Sequence, residues 1–135
     1  MGSKLDTIKP SSYVHLHNHT QYSLLDGLTK IGPLLDQVKE DGMEAVAMTD
    51  HGTLSGTIEF YKEAKARGIK PIIGLETYVA MRKHTDKEPA KDKNRYHLIL
   101  LAMNNIGYQN LMQLSTKANL DGFYYHPRID HDLLA

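Results

Sequence analysis

Residues 44–80 read EAVAMTDHGTLSGTIEFYKEAKARGIKPIIGLETYVA, and the fold turns on how this stretch divides. Glu44 to Met48 is a short apolar run bounded by polar residues, which predicts a buried strand. Leu54 to Ala66 places Ile58, Tyr61 and Ala64 or Lys65 on one side at helical spacing, with Gly68 in the stop position that a left-handed cap favours. Pro71 to Ala80 is apolar again, with Gly74 read as a bend and Glu76 set inside the run. A strand, a helix and a second strand in this order predict a βαβ unit and hence a parallel pair.

The same alternation continues outward. Upstream, Pro33 suits a first helical turn, Leu34, Leu35, Val38 and Met43 form an apolar stripe, and Gly42 ends the helix. Ahead of it, Tyr13 to His17 alternates apolar and histidine residues and reads as a short first strand. Downstream, residues 81–95 hold six Lys/Arg against three Asp/Glu and read as a solvated, mobile connection, with contact to a phosphate backbone as the alternative. Tyr96 to Ala102 is a fourth strand with His97 near its start, and Ile106 to Ala118 is a helix with Tyr108, Leu111, Met112 and Ser115 at helical spacing. Pro127 then breaks regular structure, and Asp130 suits the cap of a last helix. The expected class is therefore α/β with a mostly parallel sheet. A closed (β/α) barrel takes about 250 residues, so the 135 present predict an incomplete (β/α) barrel, truncated before closure and exposing an apolar strand edge prone to self-association.

Composition narrows the function. With 41% hydrophobic residues the chain can bury a core, and 16 basic against 16 acidic residues leave a formal charge of +0, without the global basic field of a non-specific nucleic-acid binder. Cysteine is absent, so a metal here must use His, Asp and Glu. No apolar run is long enough to span a bilayer and the start does not read as a signal peptide, so a cytoplasmic protein with no membrane partner is expected. Residues 1–12, MGSKLDTIKPSS, read as a flexible polar leader.

The chemistry is expected around HLHNHTQYSLLDG, His15 to Gly27. In an extended strand His15, His17 and His19 project to one side, and Asp26 can fold back across them after a turn. In parallel α/β folds the working groups gather at the carboxyl ends of strands. There the second strand delivers Asp50 and His51, the third carries Glu76 and the fourth His97. Ionisable residues on four successive strands point to a single pocket. A thiolate-free set of imidazoles and carboxylates suits zinc, manganese or iron, in more than one copy. Paired metals can activate water and clamp a phosphate, which makes phosphoester hydrolysis the leading chemistry. Ligand types alone leave amide hydrolysis and deamination open.

His17-Asn18-His19-Thr20, Thr49-Asp50-His51-Gly52, Gly74-Leu75-Glu76 and His97 resemble the successive motifs of the PHP (polymerase and histidinol phosphatase) family. The longer segments SLLDG, AMTDHGTLSGTIEFYKEAKARGIKPIIGLETYVA and GYQNLMQLSTKANLDGFYYHPRID resemble the amino-terminal PHP domains of bacterial DNA polymerase III alpha subunits, from about Tyr13 to the end. The resemblance implies a divalent metal cluster held by His17, His19, Asp26, His51, Glu76 and His97, with Glu76 bridging. It implies supporting roles for His15 and for Asp50, the latter orienting a ligand or capping a helix. It marks neither His126 nor His131 as a ligand, and His84 is expected in solvent.

The same resemblance places the family's later Cys or His and its Asp-x-His pair beyond Ala135, so the cluster is expected to be incomplete and the polymerase domains absent. The parent would synthesise DNA, with DNA, the remaining polymerase domains and replisome subunits as partners. This domain would be a metal-dependent phosphoesterase or 3′–5′ proofreading exonuclease. The alternatives are a non-catalytic scaffold module and a stand-alone phosphatase on a small phosphate ester.

Overall fold

The computed structural model describes residues 13–24 and 26–135, so the leader expected over 1–12 lies outside the described residues. In chain order the elements are α1 (Ile31–Glu40), β1 (Ala45–Met48), α2 (Thr57–Ala66), β2 (Lys70–Ala80), β3 (Arg95–Leu101), α3 (Asn105–Leu120), β4 (Arg128–Ile129) and α4 (His131–Leu134). β2 is the axis of the sheet. One of its edges pairs in parallel with β1 from Lys70 to Ile73 and, further along, with β4 at Tyr78 and Val79. Between those ladders Glu76 N–H donates to the Asp50 carbonyl at 3.1 Å, and Gly52 N–H donates to the Glu76 carbonyl at 2.9 Å. The backbone of Glu76 is therefore locked to the residues that flank His51.

The other edge of β2 pairs with β3 over Gly74 to Ala80, and this longest ladder is antiparallel. Two of the three pairings are parallel, as expected, but the return from β2 is not. The connection through 81–94 contains no helix to carry the chain back across the sheet, so β3 can only run against β2.

The expected first strand is also different. Residues 13–19 form no regular strand, although Ala47 N–H donates to the His15 carbonyl at 2.8 Å and Thr49 N–H to the Asn18 carbonyl at 2.9 Å. Three residues on one side oppose two on the other, so the ladder slips. Side chains fill in for it: Asn18 Nδ2 donates to the Ala47 carbonyl at 3.1 Å, and Asn18 N–H to Thr49 Oγ1 at 3.0 Å. The fourth strand is instead the short β4, within the segment read as irregular around Pro127.

α1 buries Ile31, Leu35 and Val38, close to the expected stripe, against β1 and α2 in a core with Val46, Met48, Phe60, Ala64 and Ile69. α2 begins at Thr57, three residues later than expected, and turns a different face inward. Thr57, Phe60 and Ala64 are buried, whereas Ile58 and Tyr61 are 59% and 50% exposed. Phe60 and Ala64 sit four apart on one face, and the Phe60 ring, which unlike Tyr61 carries no hydroxyl to satisfy, took the core. A second, smaller core joins Val79, Ala118 and Ile129, with Leu114, Leu133 and Leu134 packed against it. α3 is capped by Asn104, whose side chain accepts from Gly107 N–H at 3.0 Å, and Asp130 caps α4 as expected by accepting from Leu133 N–H at 3.0 Å.

Gly74 marks no bend; β2 passes straight through it. A Cβ there would lie 2.6 Å from Leu101 Cδ2 and 2.8 Å from the Leu100 carbonyl oxygen, so the glycine admits β3 at close range.

Residues 81–95 are mostly exposed, as expected of a solvated connection, but the segment is tied to the fold at a few points. Arg82 makes a forked pair with Asp92 at 2.8 and 2.6 Å, and Asp92 is buried. Arg128, 1% exposed, donates to the carbonyls of Gly122, Asp92, His84 and Asp86 and so nails the segment down. His84, expected in solvent, is drawn in with them, its Nδ1 2.6 Å from Asp130 Oδ2. Buried arginine finding unpaired carbonyls is what composition alone conceals: the lysines dominate the count, yet two arginines organise the segment.

Candidate metal centre

The strand period places Glu76 and Tyr78 on one face of the sheet, together with His97, the cross-strand partner of Tyr78. Val79 points the other way, into the second core. Glu76 has a side chain only 4% exposed, and four imidazoles face it.

His17 Nε2 and His19 Nε2 each lie 2.6 Å from Glu76 Oε2. His97 Nδ1 is 3.1 Å from Glu76 Oε1, and His51 Nδ1 is 3.8 Å from the same oxygen. On its far side His51 Nε2 meets Asp26 Oδ2 at 3.0 Å. Ligating atoms thus gather into three overlapping groups, His17–His19–Glu76, His19–Asp26–His51 and His51–Glu76–His97, each within 4.8 Å. All six residues expected as ligands are brought together.

Local geometry explains the convergence. The slipped ladder carries His17 and His19 over the carboxyl end of β1, and Thr20 fastens them there: its N–H and hydroxyl donate to Asp50 at 2.5 and 2.7 Å. Asp50 is fully buried and caps no helix, since the residue preceding α2 is Gly56. The loop to Asp26 closes by hydrogen bonds from Asp26 N–H and Gly27 N–H to the Ser23 carbonyl. A Cβ at Gly27 would overlap the Thr20 carbonyl oxygen, so only glycine lets the turn fold back over the histidines. His15 does not join them. Its ring lies edge-on to Tyr13 at 4.8 Å, and its side chain makes no hydrogen bond to the cluster among the described residues.

The electrostatics fit a cation. Burial opposes charge on Glu76, but hydrogen bonds from His19 and His17 and the field of His51 prevail and hold its pKa below the ordinary carboxylate value. Burial pushes the His51 pKa down, with Glu76 pulling up and His19 pushing down beside it. Burial likewise raises the pKa of Asp50 against the hydrogen bonds from Thr20. His51 Nδ1 is buried and has no hydrogen-bond partner among the described residues, and two imidazole nitrogens share a single carboxylate oxygen. An electron-pair acceptor among these nitrogens resolves both, and an all nitrogen and oxygen donor set suits zinc, manganese or iron.

Two neighbours, Tyr78 and Arg95, escaped the sequence reading, and a third, His126, read there only as a residue that is not a ligand, lies beside them. The Tyr78 ring stacks on His51 at 5.4 Å and meets His97 edge-on at 5.0 Å. His126 packs on the far side of Tyr78 at 4.6 Å, and Arg95 bonds to His126. The signal for Tyr78 was its spacing, two residues beyond Glu76. His131, at the start of α4, is exposed and in none of the three groups.

Comparisons with known proteins accord with this geometry. A DNA polymerase III subunit alpha of Borreliella burgdorferi is 53% identical over 123 residues, which is 90% of this chain and 11% of that protein. One from Thermus aquaticus is 52% identical, over 99% of this chain and again 11% of that protein. The chain thus spans about a tenth of the length of the curated relatives it matches. An amidohydrolase from Chromobacterium violaceum shares the fold at a TM-score of 0.52 and 20% identity, over 77% of this chain and 34% of that one. A candidate metal-dependent phosphoesterase from Bifidobacterium adolescentis does so at 0.54 and 19%, over 78% and 32%. The PHP-domain profile matches residues 15–135, a span that takes in every residue of the histidine and carboxylate cluster and the sheet that carries it, and the chain belongs to the PHP family.

Proposed function

We propose that this chain is the amino-terminal part of the PHP domain of a bacterial replicative polymerase, a DNA polymerase III subunit alpha, and that the domain is a metal-dependent phosphoesterase. The identity of about one half with such subunits over nearly the whole chain supports the parentage. The observation that carries the chemistry is the convergence of His17, His19, His51 and His97 on the buried Glu76, with Asp26 reaching the cluster through His51. In this reading the open sheet is the first portion of a larger barrel, and DNA and other replisome subunits are partners of the parent. No helix among the described residues is long and apolar enough to cross a membrane. The parent is read as cytoplasmic.

Glu76 and the four imidazoles would hold the metal, with Asp26 closing the side toward solvent. When bound, divalent ions supply Lewis acidity to a phosphate ester and an activated water. The chain's own residues set the geometry: the N–H and carbonyl of Glu76 are both bonded along one edge of β2, β3 pairs along the other edge, and Thr20 and Asp50 hold the His17–His19 segment in place. With 3′ ends of DNA as substrate, the activity would be proofreading.

Metal stoichiometry tests this reading. The purified 135-residue chain is expected to keep near-stoichiometric zinc, manganese or iron through dialysis against a weak chelator. Glu76→Gln, which preserves shape and removes the shared charge, is expected to lower retained metal by roughly tenfold or more. A folded wild-type chain without metal would mean that these six residues do not suffice to hold it and would leave this piece to be read as structural, and full metal content in Glu76→Gln would remove Glu76 from the ligand set.

A further inference from the structure

Arg95 opens β3, and as the residue two before His97 it shares the site face of the sheet, opposite Ala80. Its guanidinium carbon lies 5.3 Å from the centroid of Tyr78, the ring that also stacks on His51 and touches His97. Nη2 donates to His126 Nε2 at 2.6 Å, and Nη1 reaches the Lys93 carbonyl only at 3.5 Å. Nε is buried without a partner among the described residues. Among the described residues Arg95 pairs with no carboxylate, whereas Arg67 and Arg82 each make ion pairs with acids. A cation held one ring away from a carboxylate-centred cluster, and left without a counter-ion, has a positive charge to offer a ligand.

Its surroundings are built to keep it there. His126 follows Tyr125, whose φ of 59° is unusual for a bulky residue, and the turn that includes it, closed by Tyr124 N–H to the His126 carbonyl at 3.1 Å, brings the imidazole to the guanidinium. Arg95 and His97 line one groove of about 470 Å³ with Met81, Asn94 and Tyr96. Arg95 therefore shares a groove with one imidazole of the cluster. The planar fork of an arginine matches phosphate oxygens and lends itself to paired hydrogen bonds.

We propose that Arg95, positioned by His126 and Tyr78, is a substrate-binding residue that holds a non-bridging phosphate oxygen at the edge of the metal cluster. The assignment rests on the phosphoesterase reading for its place in the reaction, but its binding chemistry is testable apart from it. Inorganic phosphate is titrated into the 135-residue chain, with metal and after chelation, for wild type, Arg95→Gln and Arg95→Lys, following the His126 imidazole resonances and the heat of binding. Metal content and thermal midpoint are measured on the same samples.

Phosphate is expected to shift His126 in the wild type and to bind Arg95→Gln about tenfold more weakly at unchanged metal content, with Arg95→Lys between them. Equal affinity of wild type and Arg95→Gln, or no phosphate binding by the wild type in either condition, overturns the assignment. If Arg95→Gln does not fold, the response of His126 in the wild type and the affinity of Arg95→Lys decide. Arg95-dependent phosphate binding by a chain that holds no metal would uphold this residue's role and overturn the metal reading. Metal retention without dependence on Arg95 would do the reverse.

Discussion

Glu76 is the single charge inside an otherwise apolar run, and a lone acid on a buried strand is costly unless partners surround it. Its partners come from three other places in the chain, which is why its role was legible only together with His17, His19, His51 and His97. Asp50 is the less obvious residue. Fully buried, it spends both oxygens on Thr20, so its contribution is to the placement of the histidines. Asp50→Ala orphans the Thr20 N–H and hydroxyl, and each orphan is expected to cost about 1–3 kcal/mol. Asp50→Asn, which keeps an acceptor and the shape, should lose clearly less. Urea denaturation of the two variants checks this, and equal losses would mean that the fold uses the charge of Asp50 and not its hydrogen bonds to Thr20.

At the level of elements, the α2 register makes a sharp comparison. Phe60→Ala empties a fully buried site and is expected to cost about 3–5 kcal/mol. Ile58→Ser, on the exposed side, should stay within about 0.5 kcal/mol of wild type. The reverse order in urea melts would restore the face that periodicity suggested, Ile58 and Tyr61 with Ala64 or Lys65, in place of the one that pairs Ala64 with Phe60. The connection from 81 to 94 yields a pH test. The hydrogen bonds from Arg82 hold the Asp92 carboxyl at about 2, below its ordinary 3.8. Because the folded value is the lower one, the stabilisation is fully present above about pH 4 and drains away as pH falls toward 2. Urea midpoints for wild type and Arg82→Gln should therefore differ at neutral pH and converge across that acid window. A gap that stays constant down to pH 2 would remove the pair from the account of this loop.

For the whole molecule, the sheet ends at β3, whose outer edge pairs with no strand among the described residues. Tyr96, Leu98 and Leu101 are 63%, 38% and 36% exposed along it. An apolar edge of this kind invites another edge. The chain is expected to associate as its concentration rises in sedimentation experiments, and Leu98→Lys, which leaves the site face untouched, should shift it toward monomer. A wild type that stays monomeric at every concentration would show that this edge is adequately protected. Much of this architecture was legible without coordinates: the apolar runs at 44–48, 71–80 and 96–102, the stripe of α1 and the caps at Gly42, Gly68 and Asp130 follow from periods of two and 3.6 and from backbone chemistry local to a few residues. The six clustered residues were legible too, because a motif set in fixed order marks them. Tertiary structure alone decided the rest. Whether β3 runs with or against β2, which face of α2 sinks, and where the first histidines lose the ladder each depend on competition between distant surfaces. So does the fate of the arginines. Arg128 and Arg95 look alike in sequence, and only the fold determines that one is buried under four carbonyls while the other stands over Tyr78 beside the histidines, without a carboxylate partner among the described residues.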